Sequence, residues 1–376
     1  MDLLTPRERL LRTLRGEPVD RVATFDNIHN IELIKHLTGE TVTPRNAEDL
    51  FCRGISQVLD MVRHFAVPDR PEPWTVSDEN GFTYHYEWWT GHLAHRPEML
   101  SSRDVADYVE RDIDIIYRHI EENRICHSAR QHVRLLDDNF DSFDELKSAY
   151  ARIVGKLEGT QMLPPEDVNA VAVAAERYDE TNWWYLYYDY PEIAKRYLDA
   201  LTDYQLHFID QFADSSLCPF TQVSIATGTS TSLLYSREFV QSEILPREGR
   251  KIDRWKKHGY YVFAFLDGYK WPVIDDYLAL GVDEIHPCEP YCQMDVKTLR
   301  DRYPELLISQ PIACAGLLAY GSPDEVRMAV KQAIDDAGGR KIIIGSTSEI
   351  HPNVKVENAL AMYEAAGSLS SDCITQ

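Results

Sequence analysis

Apolar and polar positions along the chain switch between a helical and a strand-like period. Leu10, Leu11 and Leu14 share one face of a helix that Thr5 caps, with Pro6 in the first turn, Glu8 reaching back as a capping box and Gly16 as the stop. Val22-Ala23-Thr24-Phe25 then reads as a short apolar strand running into the polar stretch Asp26-Asn27-Ile28-His29-Asn30. From about residue 168 onward, strand-like and helix-like segments alternate, as parallel strands joined by crossover helices do. Strands are predicted over residues 168–176, 221–227, 260–268, 281–289, 305–313 and 341–349, and helices over 191–213, 236–258, 272–280, 295–302 and 323–337. The last helix has Ser322 as cap, Pro323 first, Glu325 closing the box, Val326, Ala329, Val330 and Ile334 as its apolar face, and Gly338-Gly339 as the stop.

Adding 22–27 and a weaker strand over 64–67 brings the strands to eight, the number of a (β/α)8 TIM barrel of the α/β class. A barrel with an insertion accommodates 376 residues as one domain, and a single domain over 1–376 is expected. Residues 72–165 break the rhythm: 82–89 alternates like a hairpin strand, and 142–157 reads as a surface helix capped by Ser142 and Glu145. This stretch is treated as an excursion from the barrel. No glycine-rich phosphate loop follows any strand, which disfavours an open doubly wound sheet and any NAD or nucleotide cofactor.

A net charge of −22 leaves no basic stripe for phosphates, so nucleic acid and anionic membranes are poor partners and small molecules or another protein are expected. No apolar run approaches the roughly 18 residues of a membrane span, and the opening Met1-Asp2-Leu3-Leu4-Thr5-Pro6 goes straight into a charged amphipathic segment; a cytoplasmic protein is expected. Seven irregularly spaced cysteines argue for free thiols.

In a parallel barrel, the reactive groups sit at the carboxyl ends of the strands. Here those are Asp26, Asn27 and His29; Glu176; Thr227; Asp267; His286, Cys288 and Glu289; Gln310; and Ser346, Ser348, Glu349 and His351. Asp267 reads either as the start of an Asp-Gly turn or as a mouth carboxylate, with Tyr269, Lys270 and Trp271 beside it. His286 and Cys288 share one side of their strand, as a shared proton or metal requires, or are a hydrogen-bonded histidine and a buried thiol. Glu289 is held extended by Pro290. Glu349 and His351 either begin a helix or join Asp26 and His29 in one quadrant of the mouth once the barrel closes. The aromatic run Tyr178, Trp183, Trp184, Tyr185, Tyr187 and Tyr188 reads as packed core or as the flat lining of an aromatic or macrocyclic ligand.

The chain resembles the uroporphyrinogen decarboxylase superfamily, which includes corrinoid-dependent methyltransferases. The resemblance rests on Thr5-Pro6-Arg7-Glu8-Arg9-Leu10 through Gly16-Glu17-Pro18-Val19-Asp20-Arg21-Val22, on Gly281-Val282-Asp283, His286-Pro287, Glu289-Pro290 and Met294-Asp295, and on Gly321-Ser322-Pro323-Asp324-Glu325-Val326, Gly338-Gly339 and Val356-Glu357-Asn358. Asp26-Asn27-Ile28-His29-Asn30 replaces the Arg-Gln-Ala-Gly-Arg type stretch of true porphyrinogen decarboxylases, and Phe265-Leu266-Asp267-Gly268 replaces the His-x-Cys-Gly of zinc-dependent methyltransferases. Gln310-Pro311-Ile312-Ala313-Cys314-Ala315-Gly316 replaces the family's glycine-rich stretch. What the resemblance implies is a methyltransferase-like branch, moving a methyl group between a small methylated substrate, an aryl ether or amine, and a corrinoid (cobalamin) carried by a separate protein. Asp267, His286, Glu289 and His351 are then the catalytic candidates, and Asp26, His29, Glu176, Arg177, Tyr269, Lys270, Gln310 and Glu349 the substrate-binding ones. A rewired zinc site would use Asp267, His286 and Cys288, and a homodimer is a further expectation. The alternatives are a decarboxylase or lyase of a small or tetrapyrrole-like acid, for which Arg177 and Lys270 are the visible cations, and a small-molecule-binding homologue without catalysis.

Overall fold

The computed structural model describes residues 3–63, 65–68, 70–129, 140–165, 167–225 and 228–369. The expected positions His64 and Thr227 lie outside the described residues. Among the described residues twelve strands follow in chain order: β1 (Ala23–Asp26), β2 (Met61–Val62), β3 (Trp74–Ser77), β4 (Thr83–Tyr86), β5 (Gly91–His95), β6 (Gln161–Met162), β7 (Asp167–Val168), β8 (Phe220–Ser224), β9 (Tyr261–Phe265), β10 (Glu284–His286), β11 (Leu307–Ser309) and β12 (Ile342–Ile344). Nine of them form one sheet in the order β6-β2-β1-β12-β11-β10-β9-β8-β7, with every neighbouring pair parallel. Its two ends, β6 and β7, are joined by only residues 163–166, so they are one interrupted stave and the sheet is a (β/α)8 TIM barrel.

Local chemistry explains the elements. The helix Pro6–Arg15 starts with the Glu8 N–H donating to the Thr5 hydroxyl and ends at Gly16 with φ of 72°. The Glu8 carboxylate accepts from Arg12, and no reciprocal bond back to Thr5 completes the expected box among the described residues. Its Leu10 side chain joins Phe25, Met61, Leu163, Phe220, Phe263, Leu307 and Ile343, with Leu11 and Leu14 against them, which plugs the barrel at the amino-terminal ends of the strands. In the helix Pro323–Asp336 the Ser322–Glu325 capping box is complete. The expected helix over 236–258 is continuous but carries a π-helical turn at Val240–Ile244.

Four expectations are corrected. Of residues 168–176 only Val168, the end of β7, is strand: Asn169 accepts from the Ala172 N–H and starts the helix Ala170–Tyr178. The alanines there favour helix, and their alternation with valine merely mimics the strand period. The stave expected over 64–67 is instead Met61–Val62. The hairpin expected over 82–89 is a three-stranded antiparallel sheet, β3-β4-β5. The excursion over 72–165 ends inside the barrel, because the helix Phe143–Lys156 and β6 supply the third helix-to-strand passage. The six described cysteines are all free and buried, and among the described residues no helix is long and apolar enough to cross a membrane.

Candidate functional site

The carboxyl ends of β1, β2 and β12 build one quadrant of the barrel mouth. Gly345 makes it possible: a Cβ there would sit 1.8 Å from the Phe25 carbonyl oxygen. This close approach lets the buried Asp26 carboxylate accept from the Ser346 N–H (2.8 Å), the Ser346 hydroxyl (2.6 Å) and the Asn27 N–H (2.9 Å), with the Tyr363 hydroxyl at 3.4 Å. Burial pushes the Asp26 carboxyl up to about 6 against the pull of those donors and of Arg63. Asn27 Nδ2 lies 2.9 Å from His29 Nε2. The His29 ring meets Trp88 and Trp89 at centroid distances of 6.2 and 5.8 Å, so the turn between β4 and β5 covers this side. Backbone bonds between Asn27, His29 and Ile350 hold the segment carrying Glu349 and His351 alongside. His351 is half-buried and its Nδ1 accepts from the Asn353 N–H, the loop-bonding role.

At the end of β2, Arg63 donates through Nη2 to the Ser348 carbonyl and stands 3.9 Å from Glu349. Its guanidinium lies 5.5 Å from the centre of the Phe265 ring at the end of β9. Sequence reading missed Arg63, Trp88, Trp89 and Phe265. The signal for Arg63 was a cation directly after the apolar Met61-Val62, obscured by placing the strand three residues later.

Across the mouth, β9 and β10 end in Asp267, Lys270 and Glu289. The loop after β9 is pressed against the loop after β8: a Cβ on Gly268, whose φ is +78°, would lie 2.5 Å from the Gly228 backbone, and the Tyr269 N–H donates to the Thr229 carbonyl. Asp267 is exposed and accepts from its own Gly268 N–H, the turn role, while its charge still reaches Glu289. Glu289 is half-buried, and burial followed by repulsion from Asp267 raises its carboxyl above the ordinary range, against attraction from Lys270. Lys270 is buried, donates to the Pro287 carbonyl at 2.9 Å, and is lowered by burial.

Beneath the mouth, the interior of the barrel carries a polar chain. Ser309 donates to Glu284, Glu284 meets His286 Nδ1 at 2.8 Å, His286 Nε2 meets the Gln222 side-chain oxygen Oε1 at 3.0 Å, and the Gln222 amide donates to Ser224. Both His286 nitrogens are therefore engaged, with Phe25 and Phe265 edge-on to the ring. The Cys288 thiol packs in the core, its nearest acceptor is the Ile285 carbonyl at 3.8 Å, and burial pushes it up to about 12. Asp267 on the rim, His286 in the interior and Cys288 in the core do not converge on a zinc site, and among the described residues no three His, Cys, Asp or Glu side chains are arranged to hold a metal ion. Gln310 is fully buried with φ of 53°, a left-handed backbone for a non-glycine residue, and donates through Nε2 to the Phe25 carbonyl.

Two expected binders are engaged by the excursion. Arg177 is consumed by Asp112, Asp78 and Tyr84, with the Phe82 ring 3.9 Å below, and ties the helix Ala170–Tyr178 to the excursion. Glu176 precedes it on that helix, where its carbonyl accepts from Arg96. In the aromatic run, Tyr178 and Trp183 are core, whereas Tyr185 and Tyr188 are 62% and 78% exposed.

Residues 168–369, more than half of the chain, match the family model described as uroporphyrinogen decarboxylase. No curated protein matches the sequence. Among solved structures, a methyltransferase from Methanosarcina mazei is similar with a TM-score of 0.66 at 15% identity, covering 97% of this chain and 98% of that one. A β-glycosidase from the hyperthermophile Thermosphaera aggregans aligns over 96% of this chain and 98% of its own at 10% identity, with a TM-score of only 0.31.

Proposed function

Since this chain belongs to the uroporphyrinogen decarboxylase family, we propose that it is an enzyme of methyl transfer, moving a methyl group from a small methylated substrate, an aryl ether or amine, to a corrinoid on a partner protein. The observation that carries the reading is the trio Asp267, Lys270 and Glu289 at neighbouring strand ends. Breaking an O–CH3 or N–CH3 bond leaves electrons on the heteroatom, which needs a proton. Glu289 is accessible from the mouth and is held protonated to higher pH than an ordinary glutamate by burial and by Asp267. It gives that proton to the departing heteroatom, and Lys270 offsets the carboxylate left behind. The corrinoid supplies the nucleophile that takes the methyl group. Asp26, fully buried and hydrogen-bonded throughout, positions the Ser346 segment rather than touching substrate. The fold shared with the Methanosarcina mazei methyltransferase supports the same reading.

The test is methyl loss from a panel of methoxyarenes and methylamines, followed by proton NMR with reduced free cobalamin as acceptor. Glu289→Gln is expected to lower kcat about 100-fold with little change in KM. Substrate carboxyl groups released as carbon dioxide, with methyl groups untouched, would replace this reading by the decarboxylase one, which Arg63 at the mouth favours as the cation such an acid requires.

A further inference from the structure

Arg63 is 7% exposed, yet most of its hydrogen-bonding capacity is unused among the described residues. A guanidinium carries five N–H donors. In Arg63 one donor reaches the Ser348 carbonyl, and Nε has no partner among the described residues. Glu349 at 3.9 Å is beyond hydrogen-bond length and so neutralises the charge only loosely. The molecule's other buried arginines show what a structural guanidinium looks like here. Arg9 is bonded to Asp20, Asp60 and the Leu4 carbonyl, Arg177 to Asp112, Asp78 and Tyr84, and Arg247 to Asp199 and Glu243. Burying a guanidinium with its donors unmade costs stability unless something else fills them. The partner it lacks is planar, anionic and bidentate, which describes a carboxylate.

We propose that Arg63 binds a carboxylate group of the substrate, with Glu349 giving way to it. The carboxylate assignment rests on the methyl-transfer reading only in taking the mouth as the substrate site, and the orientation also takes Glu289 from it. It also sets an orientation. In the ring order β2-β1-β12-β11-β10, Arg63 at the end of β2 and Glu289 after β10 are four staves apart in a barrel of eight, that is, on opposite sides of the mouth. The Phe265 ring at the end of β9 meets both the Arg63 guanidinium and the interior His286. The substrate is therefore a methylated acid that spans the mouth, its carboxylate at Arg63 and its methyl-bearing heteroatom at the far end, near Glu289. A para-methoxybenzoate has this shape and an ortho-methoxybenzoate does not.

Calorimetric titration with 4-methoxybenzoate and with the neutral 4-methoxybenzamide, on the full chain, tests it. The acid is expected to bind about 30-fold more tightly than the amide, from two charge-assisted hydrogen bonds to a desolvated cation. Arg63→Gln erases that preference, Arg63→Lys keeps part of it, and Glu349→Gln strengthens acid binding several-fold while leaving the amide unchanged. Equal binding of acid and amide by the wild type, failure of the acid to bind, or full acid affinity in a folded Arg63→Gln protein each overturns the assignment. Should Arg63→Gln not fold, Arg63→Lys and Glu349→Gln decide, since a purely structural Arg63–Glu349 pair would lower stability and leave acid affinity where it was. Acid bound through Arg63 but never demethylated supports the assignment and removes the methyl-transfer reading. Demethylation of the amide as fast as the acid does the reverse.

Discussion

Asp26 shows how one buried carboxyl acquires a pH dependence. Its folded value, about 6, lies above the ordinary 3.8 because burial outweighs the hydrogen bonds from Ser346 and Asn27. The stability it contributes is therefore full below the ordinary value and lost as the pH rises through about 6. Relative to a non-titrating Asp26→Asn variant, the wild type should lose up to about 3 kcal/mol between pH 4 and pH 7, read from urea unfolding at both values; a constant difference would place the carboxyl at its ordinary value. Glu289 is also raised, so as a proton donor it works below its folded value, and kcat should fall as the pH rises through it. That falling limb should vanish in Glu289→Gln. Gly345→Ala places a Cβ against the Phe25 carbonyl and should cost about 3 kcal/mol or more in thermal unfolding. His286 was legible as a strand-end residue, but its engagement by Glu284 and Gln222 was not, because Gln222 comes from a strand two places away in the ring.

Among the elements, the helices were legible where start signals and periodicity agreed, as in Pro191–Phe212 with its proline in the first turn and Pro323–Asp336 with its capping box. Ser322→Ala removes one half of the latter's capping box and should cost about 1 kcal/mol, measured by urea unfolding. The two-residue staves Met61–Val62, Gln161–Met162 and Asp167–Val168 were not legible, since two residues carry no period. They exist because neighbouring strands on either side hydrogen-bond to them. The excursion is tied to the barrel by the Arg177–Asp112–Asp78 cluster, buried and doubly paired. Arg177→Met leaves Asp112 buried beside an uncharged side chain and should cost about 3–5 kcal/mol. A substrate-binding role would instead lower ligand affinity at the mouth with little change in stability.

At the level of the whole molecule, one hydrophobic cluster runs from the excursion, through Val105, Val109, Ile113 and Ile116, to Tyr178, Trp183, Tyr197 and Tyr204 beside the barrel. Shared burial of this kind couples the parts, so calorimetry should show a single unfolding transition; a separate early transition assigned to residues 72–160 would mean that the excursion folds on its own. The sequence by itself determined the barrel class, the helices with strong caps, the free thiols and the strand-end positions of Asp26, Asp267, His286, Glu289 and Glu349. These follow from interactions within a few residues, which local pattern records. Only the tertiary structure decided which groups share the mouth. Asp26 and Ser346 bond across 320 positions of chain. Of the buried arginines Arg9, Arg63, Arg177 and Arg247, Arg177 is neutralised by the excursion, while Arg63 is left facing the mouth with donors unfilled among the described residues. Their surroundings differ because ring closure, not the residues beside them in sequence, sets what each one meets.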